Sequence, residues 1–255
     1  MIALPLLLAL AAVSPPVLTV FAAASLTDAF EELGELYRRK HGGGDVRFNF
    51  AGSQQLAAQL EHGAGADVFA SADQRWMGHV QRLGLARERP VVFARNRLVV
   101  VLPRPNPGRI ERLQDLAREG VKLVLAAEAV PAGQYSRETL GRLAGRPGFA
   151  PDYDRRVLAN LVSEEENVKG VVAKVQLGEA DAGLVYASDV GSEIADRFRV
   201  LDIPKEANVV ASYPIVALAA STHPEAARAF IELVRGPEGR SILAKHGLVP
   251  PPAAP

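Results

Sequence analysis

The stretch LTVFAAASLTDAFEELGELY, residues 18–37, decides the fold of this chain. Its first four residues are aliphatic, β-branched or aromatic, which predicts a short buried strand. Three small alanines follow, and then Ser25 and Asp28 form the Ser-x-x-Asp pattern of a capped helix start. Apolar residues recur after Ser25 at helical spacing. We therefore expect a strand followed directly by a helix whose first backbone N–H groups point beyond the end of the strand.

The same design recurs further along the chain. Ala-Gly-Ser, ending at Ser53, follows a second predicted strand, and Ser53 is the expected cap of the next helix. Small or β-branched residues also lie at predicted helix starts near Ala132 and Val168, and Tyr186 ends a predicted strand. Strands that alternate with helices indicate a parallel α/β sheet, where ligands bind beyond the carboxyl ends of the strands. One such turn is commonplace, but several together predict an anion site.

The apolar strand expected over 97–102 is followed by a cluster of prolines, which is the clearest change in composition. We place the first crossing between two lobes there, and the return crossing at the apolar run 213–219. Residues 156–161 are predicted to be extended. The predicted division of the mature chain is a first lobe of 17–97 plus 212–250, a second lobe of 98–211, and a disordered tail of 251–255.

The composition narrows the class of protein. The chain has 255 residues, 48% of them hydrophobic, and its 29 basic residues balance 29 acidic ones. This neutrality, without a basic stripe, argues against a nucleic-acid partner. Because Cys is absent, thiol nucleophiles, thiolate metal sites and disulfides are excluded.

The first 13 residues form an almost wholly apolar run that is too short to span a bilayer. No Lys or Arg precedes it, but its position and the Ala-Leu-Ala at 9–11 are typical of a secretory signal. A buried first strand is the alternative, which Pro5 disfavours. We expect a signal over 1–14 and a periplasmic or other extracytoplasmic location.

Few residues of the sequence suggest a catalytic or metal-binding role. No two His residues lie at metal-ligand spacing, and the chain contains no P-loop, nucleophile elbow or dinucleotide fingerprint. Asp67 and Asp73 are candidates for paired carboxylates, although a strand-edge Asp and a helix cap are the commoner roles. Lys169, in the first turn of a predicted helix, either steers an anion or is simply solvated. The sequence thus offers no convincing catalytic group.

Six motifs in order resemble those of the periplasmic molybdate-binding proteins of bacterial ABC importers, over about residues 18–248. The motifs are Val-Phe-Ala-Ala-Ala-Ser-Leu at 20–26, Phe-Ala-Gly-Ser at 50–53, Ala-Asp-Val-Phe-Ala-Ser-Ala-Asp at 66–73, Val-Pro-Ala-Gly at 130–133, Glu-Asn-Val at 166–168 and Gly-Glu-Ala-Asp-Ala-Gly-Leu-Val-Tyr at 178–186. Each motif alone is weak, whereas all of them in one order are specific.

The resemblance implies a two-lobed type II periplasmic binding protein fold, with two crossing strands as a hinge and the ligand in the cleft. It implies no cofactor and no enzyme activity. The expected ligand is molybdate, with tungstate as a second, and the expected partner is a membrane permease. Carried over by position, Ser25, Ser53, Ala132, Val168 and Tyr186 would bind the oxyanion through its oxygens, with no direct contact to the metal. We expect the protein to act as a monomer.

Two alternatives remain open at this point. The chain could bind another small anion, such as sulfate or an organic acid, and an Arg fork formed by Arg95 or Arg97 would favour the organic acid. It could also be an enzyme on the same fold, in which case mutation of Asp67 or Asp73 would abolish turnover.

Overall fold

The strands form two five-stranded sheets in a computed structural model that describes residues 17–41, 44–191 and 194–251. The signal expected over 1–14 and residues 252–255 of the expected tail lie outside the described residues. The strands are, in chain order, β1 (Leu18–Ala23), β2 (Val46–Ala51), β3 (Val68–Ala70), β4 (Val91–Asn96), β5 (Leu98–Pro103), β6 (Leu123–Ala126), β7 (Leu161–Glu165), β8 (Ala182–Tyr186), β9 (Phe198–Asp202) and β10 (Ala211–Ala217).

Helices connect these strands and cover both sheets. They are α1 (Thr27–Lys40), α2 (Ser53–Glu61), α3 (Gln74–Arg82), α4 (Pro131–Leu143), α5 (Tyr153–Leu158), α6 (Val168–Gln176), α7 (Pro224–Arg235) and α8 (Pro237–Lys245). Among the described residues, no helix is both long and apolar enough to cross a membrane.

Each sheet is mixed, with three mutually parallel strands on one side. The first has the order β2-β1-β3-β10-β4, in which β10 runs antiparallel to β3 and β4. The second has the order β7-β6-β8-β5-β9, with β6 parallel to both β7 and β8. We call the parts built on these sheets the first and second lobes. Parallel strands in each lobe send their carboxyl ends, and the helices that follow them, toward one edge.

The core of the first lobe shows why α1 lies where it does. Its Phe30 is fully buried and contacts Phe93 and Phe230, with ring centroids 5.7 and 5.9 Å apart. Phe48 on β2 packs edge-on against the same ring at 6.1 Å. Aromatic side chains bury large apolar areas, so this cluster holds α1 against the sheet. The start of α1 is thereby fixed at the carboxyl end of β1.

The chain crosses between the lobes twice. Arg97 is the one residue between β4 of the first sheet and β5 of the second, so the strand expected from position 97 begins instead at Leu98. The return passes through 203–210, before β10, so the prediction of a return crossing at 213–219 is wrong: residues 213–217 already belong to β10 of the first sheet. Asn208 in this segment accepts the Leu98 N–H at 3.0 Å and donates its amide to the Leu98 carbonyl at 2.8 Å. The two crossing segments are therefore tied together as one hinge.

The prediction of an extended segment over 156–161 is wrong. Residues Tyr153–Leu158 form helix α5, and the strand begins only at Leu161. Tyr153 is buried, and its hydroxyl donates to the Leu113 carbonyl at 2.5 Å. The Asn160 amide donates to the Leu116 carbonyl at 2.8 Å just after the helix. These long-range contacts stabilise a helix too short to be marked by periodicity alone.

Candidate functional site

A small cavity lies between the lobes, where the carboxyl ends of strands and the starts of helices meet. The cavity has a volume of about 10 Å³, roughly the room of one water molecule. Both lobes contribute its lining, which is Ala23, Ala24, Ser25, Ala51, Gly52, Ser53, Ala72, Val130, Pro131, Ala132, Asn167, Val168 and Tyr186. The structure thus brings together all five residues predicted to bind an oxyanion.

Ser25 does not cap α1, which corrects the prediction made from the Ser-x-x-Asp pattern. It lies in a 3-10 turn, Ala24–Leu26, that precedes α1, and no side chain in the described part of the structure caps that helix. The Ser25 hydroxyl instead lies 3.0 Å from the phenolic oxygen of Tyr213 on β10. At 8% exposure, Ser25 presents its hydroxyl and the N–H of a helical turn to the cavity.

Ser53 is not a cap either. Gly52 is the N-cap of α2, and its N–H donates to the side chain of Gln55 at 3.0 Å. The Ser53 hydroxyl oxygen accepts the N–H of Ala72 at 3.0 Å. A hydroxyl has one hydrogen, and because the Ala72 N–H occupies a lone pair of the oxygen, that hydrogen stays free to donate into the cavity.

Ala132 and Val168 can offer only main-chain donors. Ala132 follows Pro131 in the first turn of α4, and Val168 is the first residue of α6. The N-cap Asn167 accepts the N–H of Gly170 at 3.2 Å, which leaves the Val168 N–H outside the cap. N–H groups in a first helical turn have no partner within their own helix. Both residues are nearly fully buried, so their N–H groups are shielded from solvent.

Tyr186 contributes its phenol. Its backbone N–H donates to Asp189 at 3.0 Å and is therefore engaged. Its hydroxyl is buried and has no hydrogen-bond partner among the residues that the structure describes. Burial raises the pKa of Tyr186 well above its usual value, so the phenol keeps its hydrogen. A buried polar group without a partner is costly, and a ligand in the cavity would satisfy it.

The cavity is neutral yet suited to an anion. None of the residues that line it carries a formal charge, and their polar side chains are the hydroxyls of Ser25, Ser53 and Tyr186 and the amide of Asn167. Starts of α2, α4 and α6 converge on it, and each adds the partial positive charge of a helix N-terminus. Within the described ranges, no group of His, Asp or Glu side chains is arranged to hold a metal ion. The arrangement can therefore accept an oxyanion through its oxygens.

Contacts between the lobes surround the cavity. The Trp76 indole N–H donates to the Ala129 carbonyl at 2.8 Å, and the Gln54 amide donates to the Glu166 carbonyl at 2.8 Å. In each pair the first residue belongs to the first lobe and its partner to the second. The cleft is therefore closed.

The residues named for the alternative functions lie elsewhere. Arg97 pairs with Asp202 at 2.7 Å beside a groove of about 760 Å³ at the crossing segments, and Arg95 does not line the small cavity. Neither arginine lines the small cavity, so they form no Arg fork there. Asp67 accepts the N–H of Thr19 at 2.8 Å.

Asp73 has a structural role as well. It caps α3 by accepting the Trp76 N–H at 2.9 Å. Asp67, the other carboxylate considered for catalysis, also accepts the Ser221 hydroxyl at 2.6 Å. Both carboxylates therefore hold segments of the first lobe in place.

Sequence reasoning missed three residues that build the cavity. Ala72 and Tyr213 hold the hydroxyls of Ser53 and Ser25, and Gly52 allows the lobes to touch. A Cβ atom on Gly52 would lie 2.6 Å from the Glu166 carbonyl oxygen of the other lobe. Ala72 and Gly52 lie within the quoted motifs, whereas no pattern in the sequence marks Tyr213.

Comparison with known proteins defines the class. Residues 18–249 match the family described as bacterial extracellular solute-binding protein, and the chain belongs to this family. It is 41% identical to a protein of Mycobacterium tuberculosis named molybdate-binding protein ModA, over 92% of this chain and 85% of that protein. The resemblance stated from the motifs is thereby confirmed.

Solved structures share the fold at lower identity. The periplasmic molybdate-binding protein of Azotobacter vinelandii superposes with a TM-score of 0.79 at 21% identity, covering 92% of this chain and 99% of that one. The sulfate-binding protein SubI of Mycobacterium tuberculosis has a TM-score of 0.82 at 16% identity, covering 93% and 88%. The predicted two-lobed type II periplasmic binding protein fold is confirmed. Since one fold includes binders of different anions, the fold does not identify the anion.

Proposed function

We propose that this protein captures molybdate outside the cytoplasm and delivers it to the membrane permease of an ABC importer. The observation that carries the proposal is the neutral cavity lined by hydroxyl and N–H donors. The 41% identical relative named as a molybdate-binding protein supports the choice of anion, and the family description supports the location. Binding and release without chemical change is the expected activity, so the protein is proposed not to be an enzyme.

The cavity suits a fully deprotonated tetrahedral oxyanion for physical reasons. A dianion that leaves water must have its oxygens hydrogen-bonded. Ser25 and Ser53 each offer a hydroxyl and an N–H, Ala132 and Val168 each offer an N–H, and Tyr186 offers a phenol. These donors are held by the fold before the ligand arrives, so little ordering is needed on binding. Tungstate, with the same shape and charge, is the second proposed ligand.

Isothermal titration with molybdate, tungstate, sulfate and hydrogen phosphate tests the proposal. We expect sub-micromolar binding of molybdate and much weaker binding of sulfate. Hydrogen phosphate should bind poorly because its O–H finds no acceptor in a cavity of donors. A preference for sulfate or phosphate would refute the assignment of the anion.

Sulfate is the second candidate because a sulfate-binding protein shares the fold. Sulfate is also a deprotonated tetrahedral dianion, so the donor set alone would accept it. Discrimination between sulfate and the larger molybdate must depend on the fit of the cavity, which the titration measures directly. An organic acid is disfavoured because neither Arg95 nor Arg97 lines the cavity.

A further inference from the structure

Tyr213 is the buried neighbour of Ser25. It lies on β10, just after the return crossing, and is fully buried. Its phenolic oxygen lies 3.0 Å from the Ser25 hydroxyl oxygen. Its ring packs edge-on against that of Tyr186, with centroids 5.8 Å apart and an angle of 66°. Tyr213 is not among the residues that line the cavity, so its effect on a ligand must pass through a neighbour.

The direction of the hydrogen bond between Tyr213 and Ser25 follows from what surrounds the phenol. Burial raises the pKa of Tyr213 above its usual range, so the phenol is neutral and carries one hydrogen. Asn96 also neighbours the phenol, but its amide donates to the Ser188 hydroxyl oxygen at 2.8 Å and its carbonyl oxygen accepts the Arg97 N–H at 3.0 Å, so both of its polar atoms already have partners. If Ser25 donated to Tyr213, the phenolic hydrogen would have no acceptor left free among the described residues, at a cost of about 1–3 kcal/mol.

Ser53 provides an independent parallel. Its oxygen accepts a hydrogen bond from Ala72 N–H, which can only donate. Because the Ala72 N–H occupies a lone pair of the Ser53 oxygen, the Ser53 hydroxyl hydrogen must point away from Ala72. If Tyr213 plays the same role for Ser25, both serines that line the cavity are held in the same way.

We propose that Tyr213 donates its phenolic hydrogen to Ser25 and so holds the Ser25 hydroxyl as a donor toward the bound anion. Tyr213 is then a positioning and specificity-determining residue. The inference rests on the proposed function, because it concerns the same cavity. A hydroxyl that accepts one hydrogen bond also becomes a stronger donor of the next.

Selectivity follows from the direction of this bond. Without Tyr213, the Ser25 hydroxyl can rotate and offer its oxygen as an acceptor. An anion that carries its own hydrogen, such as hydrogen phosphate, would then find a partner that the native cavity denies it. Sulfate and molybdate carry no hydrogen at neutral pH, so each would lose the same directed donor.

The test is a double-mutant cycle of Tyr213→Phe and Ser25→Ala, with affinities from isothermal titration. Tyr213→Phe should weaken molybdate binding about three- to tenfold in the native background. It should have no further effect when Ser25 is already Ala. The ratio of molybdate to hydrogen phosphate affinity should fall, while the ratio of molybdate to sulfate affinity stays unchanged.

Tyr153→Phe is the matched control, because it also removes a buried phenolic hydrogen bond but concerns a residue of the second lobe that does not line the cavity. It should leave all affinities unchanged. Equal affinity of Tyr213→Phe and wild type, or an equal loss in both Ser25 backgrounds, would overturn the inference alone. Failure of the wild type to bind any tetrahedral oxyanion would instead refute the proposed function, and this inference with it.

A second variant covers the case in which Tyr213→Phe does not fold. 3,5-Difluorotyrosine introduced at position 213 keeps the ring and the hydroxyl but lowers the pKa of the phenol. A more acidic phenol is a stronger donor, so molybdate binding should tighten about twofold. Unchanged or weaker binding would contradict the assigned direction of the hydrogen bond.

Discussion

The ammonium group of Lys169 lies 3.0 Å from a carboxylate oxygen of Asp28, and this ion pair joins the two lobes across the cleft. Asp28 is in the first turn of α1, where an anion is favourable, whereas Lys169 is in the first turn of α6, where a cation is not. The ion pair explains why a lysine is placed there. Lys169 is neither isolated in solvent nor a residue of the cavity lining.

Lys169→Gln should weaken molybdate binding by no more than about fivefold, because a partly exposed ion pair contributes about 0.2–1 kcal/mol. The loss should shrink at high salt. Lys174→Gln, on the same helix but paired with Glu179 of its own lobe, is the control and should have no effect. Titration at two salt concentrations measures both. A loss far greater than tenfold would mean that Lys169 contacts the anion itself.

Gly52→Ala should weaken binding by hindering closure. The added Cβ would lie 2.6 Å from the Glu166 carbonyl oxygen of the second lobe, so the cleft must stay partly open. Solution scattering should show a smaller decrease in radius of gyration on molybdate addition than for the wild type. Gly141→Ala, where a Cβ meets nothing within 4 Å, is the control. Wild-type affinity and full compaction in the Gly52 variant would show that the lobes tolerate the methyl group.

Ala132→Pro should abolish tight binding, because it deletes the main-chain donor at that position. The first turn of a helix tolerates proline, so α4 should survive, which thermal melting can verify. Val168→Ala is the matched comparison: the N–H remains and affinity should be nearly unchanged. A folded Ala132→Pro variant that binds molybdate like the wild type would exclude the Ala132 N–H as a ligand donor.

Tyr186→Phe should lower affinity and raise stability. It removes a hydrogen bond to a charged ligand, worth about 1.5–3 kcal/mol, or roughly ten- to a hundredfold in affinity. In the free protein it removes a buried hydroxyl without a partner among the described residues, so the melting temperature should rise slightly. Tyr153→Phe should show the opposite pattern, with a lower melting temperature and unchanged affinity. Equal affinity in both variants would place the ligand away from Tyr186.

Asp189 should make stability depend on pH. Burial raises its pKa from the usual 3.8 to about 7, while Lys169 and the Tyr186 N–H lower it only in part. The folded state therefore keeps a proton that the unfolded state releases above about pH 4. This contribution to the free energy of unfolding is fully present below pH 4 and is lost as the pH rises through about 7, by up to about 4 kcal/mol.

Asp189→Asn should remove that dependence, because an amide does not titrate and its oxygen can still accept the Tyr186 N–H. Urea unfolding of both proteins at several pH values between 4 and 8 measures the difference. The wild type should lose stability relative to the variant as the pH rises. Parallel curves would show that Asp189 has an ordinary pKa.

The local pattern of the sequence by itself determined the fold class of this protein and the place of its anion site. Alternating strands and helices, with small residues where strands end, predicted an α/β fold and an anion site at the helix starts. Motif order then pointed to Ser25, Ser53, Ala132, Val168 and Tyr186. These features are visible in the sequence because periodicity and residue size act over a few neighbouring residues.

Tertiary structure decided how the serines are used. The pattern at Ser25 predicted a helix cap, but a partner 188 positions away, Tyr213, takes its hydroxyl instead. Ser53 likewise accepts from Ala72 rather than capping α2. A side chain that satisfies a local motif can be redirected by a long-range partner of similar strength, because individual hydrogen bonds differ in free energy by only about 1 kcal/mol.

Interactions between segments remote in sequence also account for α5 and for the contacts across the cleft. Six residues from Tyr153 to Leu158 are too few for periodicity to reveal a helix, and buried hydrogen bonds from elsewhere stabilise it. The Gly52 contact with Glu166 and the Lys169 pair with Asp28 exist only because two lobes meet. Burial and distance between remote segments are properties of the folded chain, so only the tertiary structure could decide them.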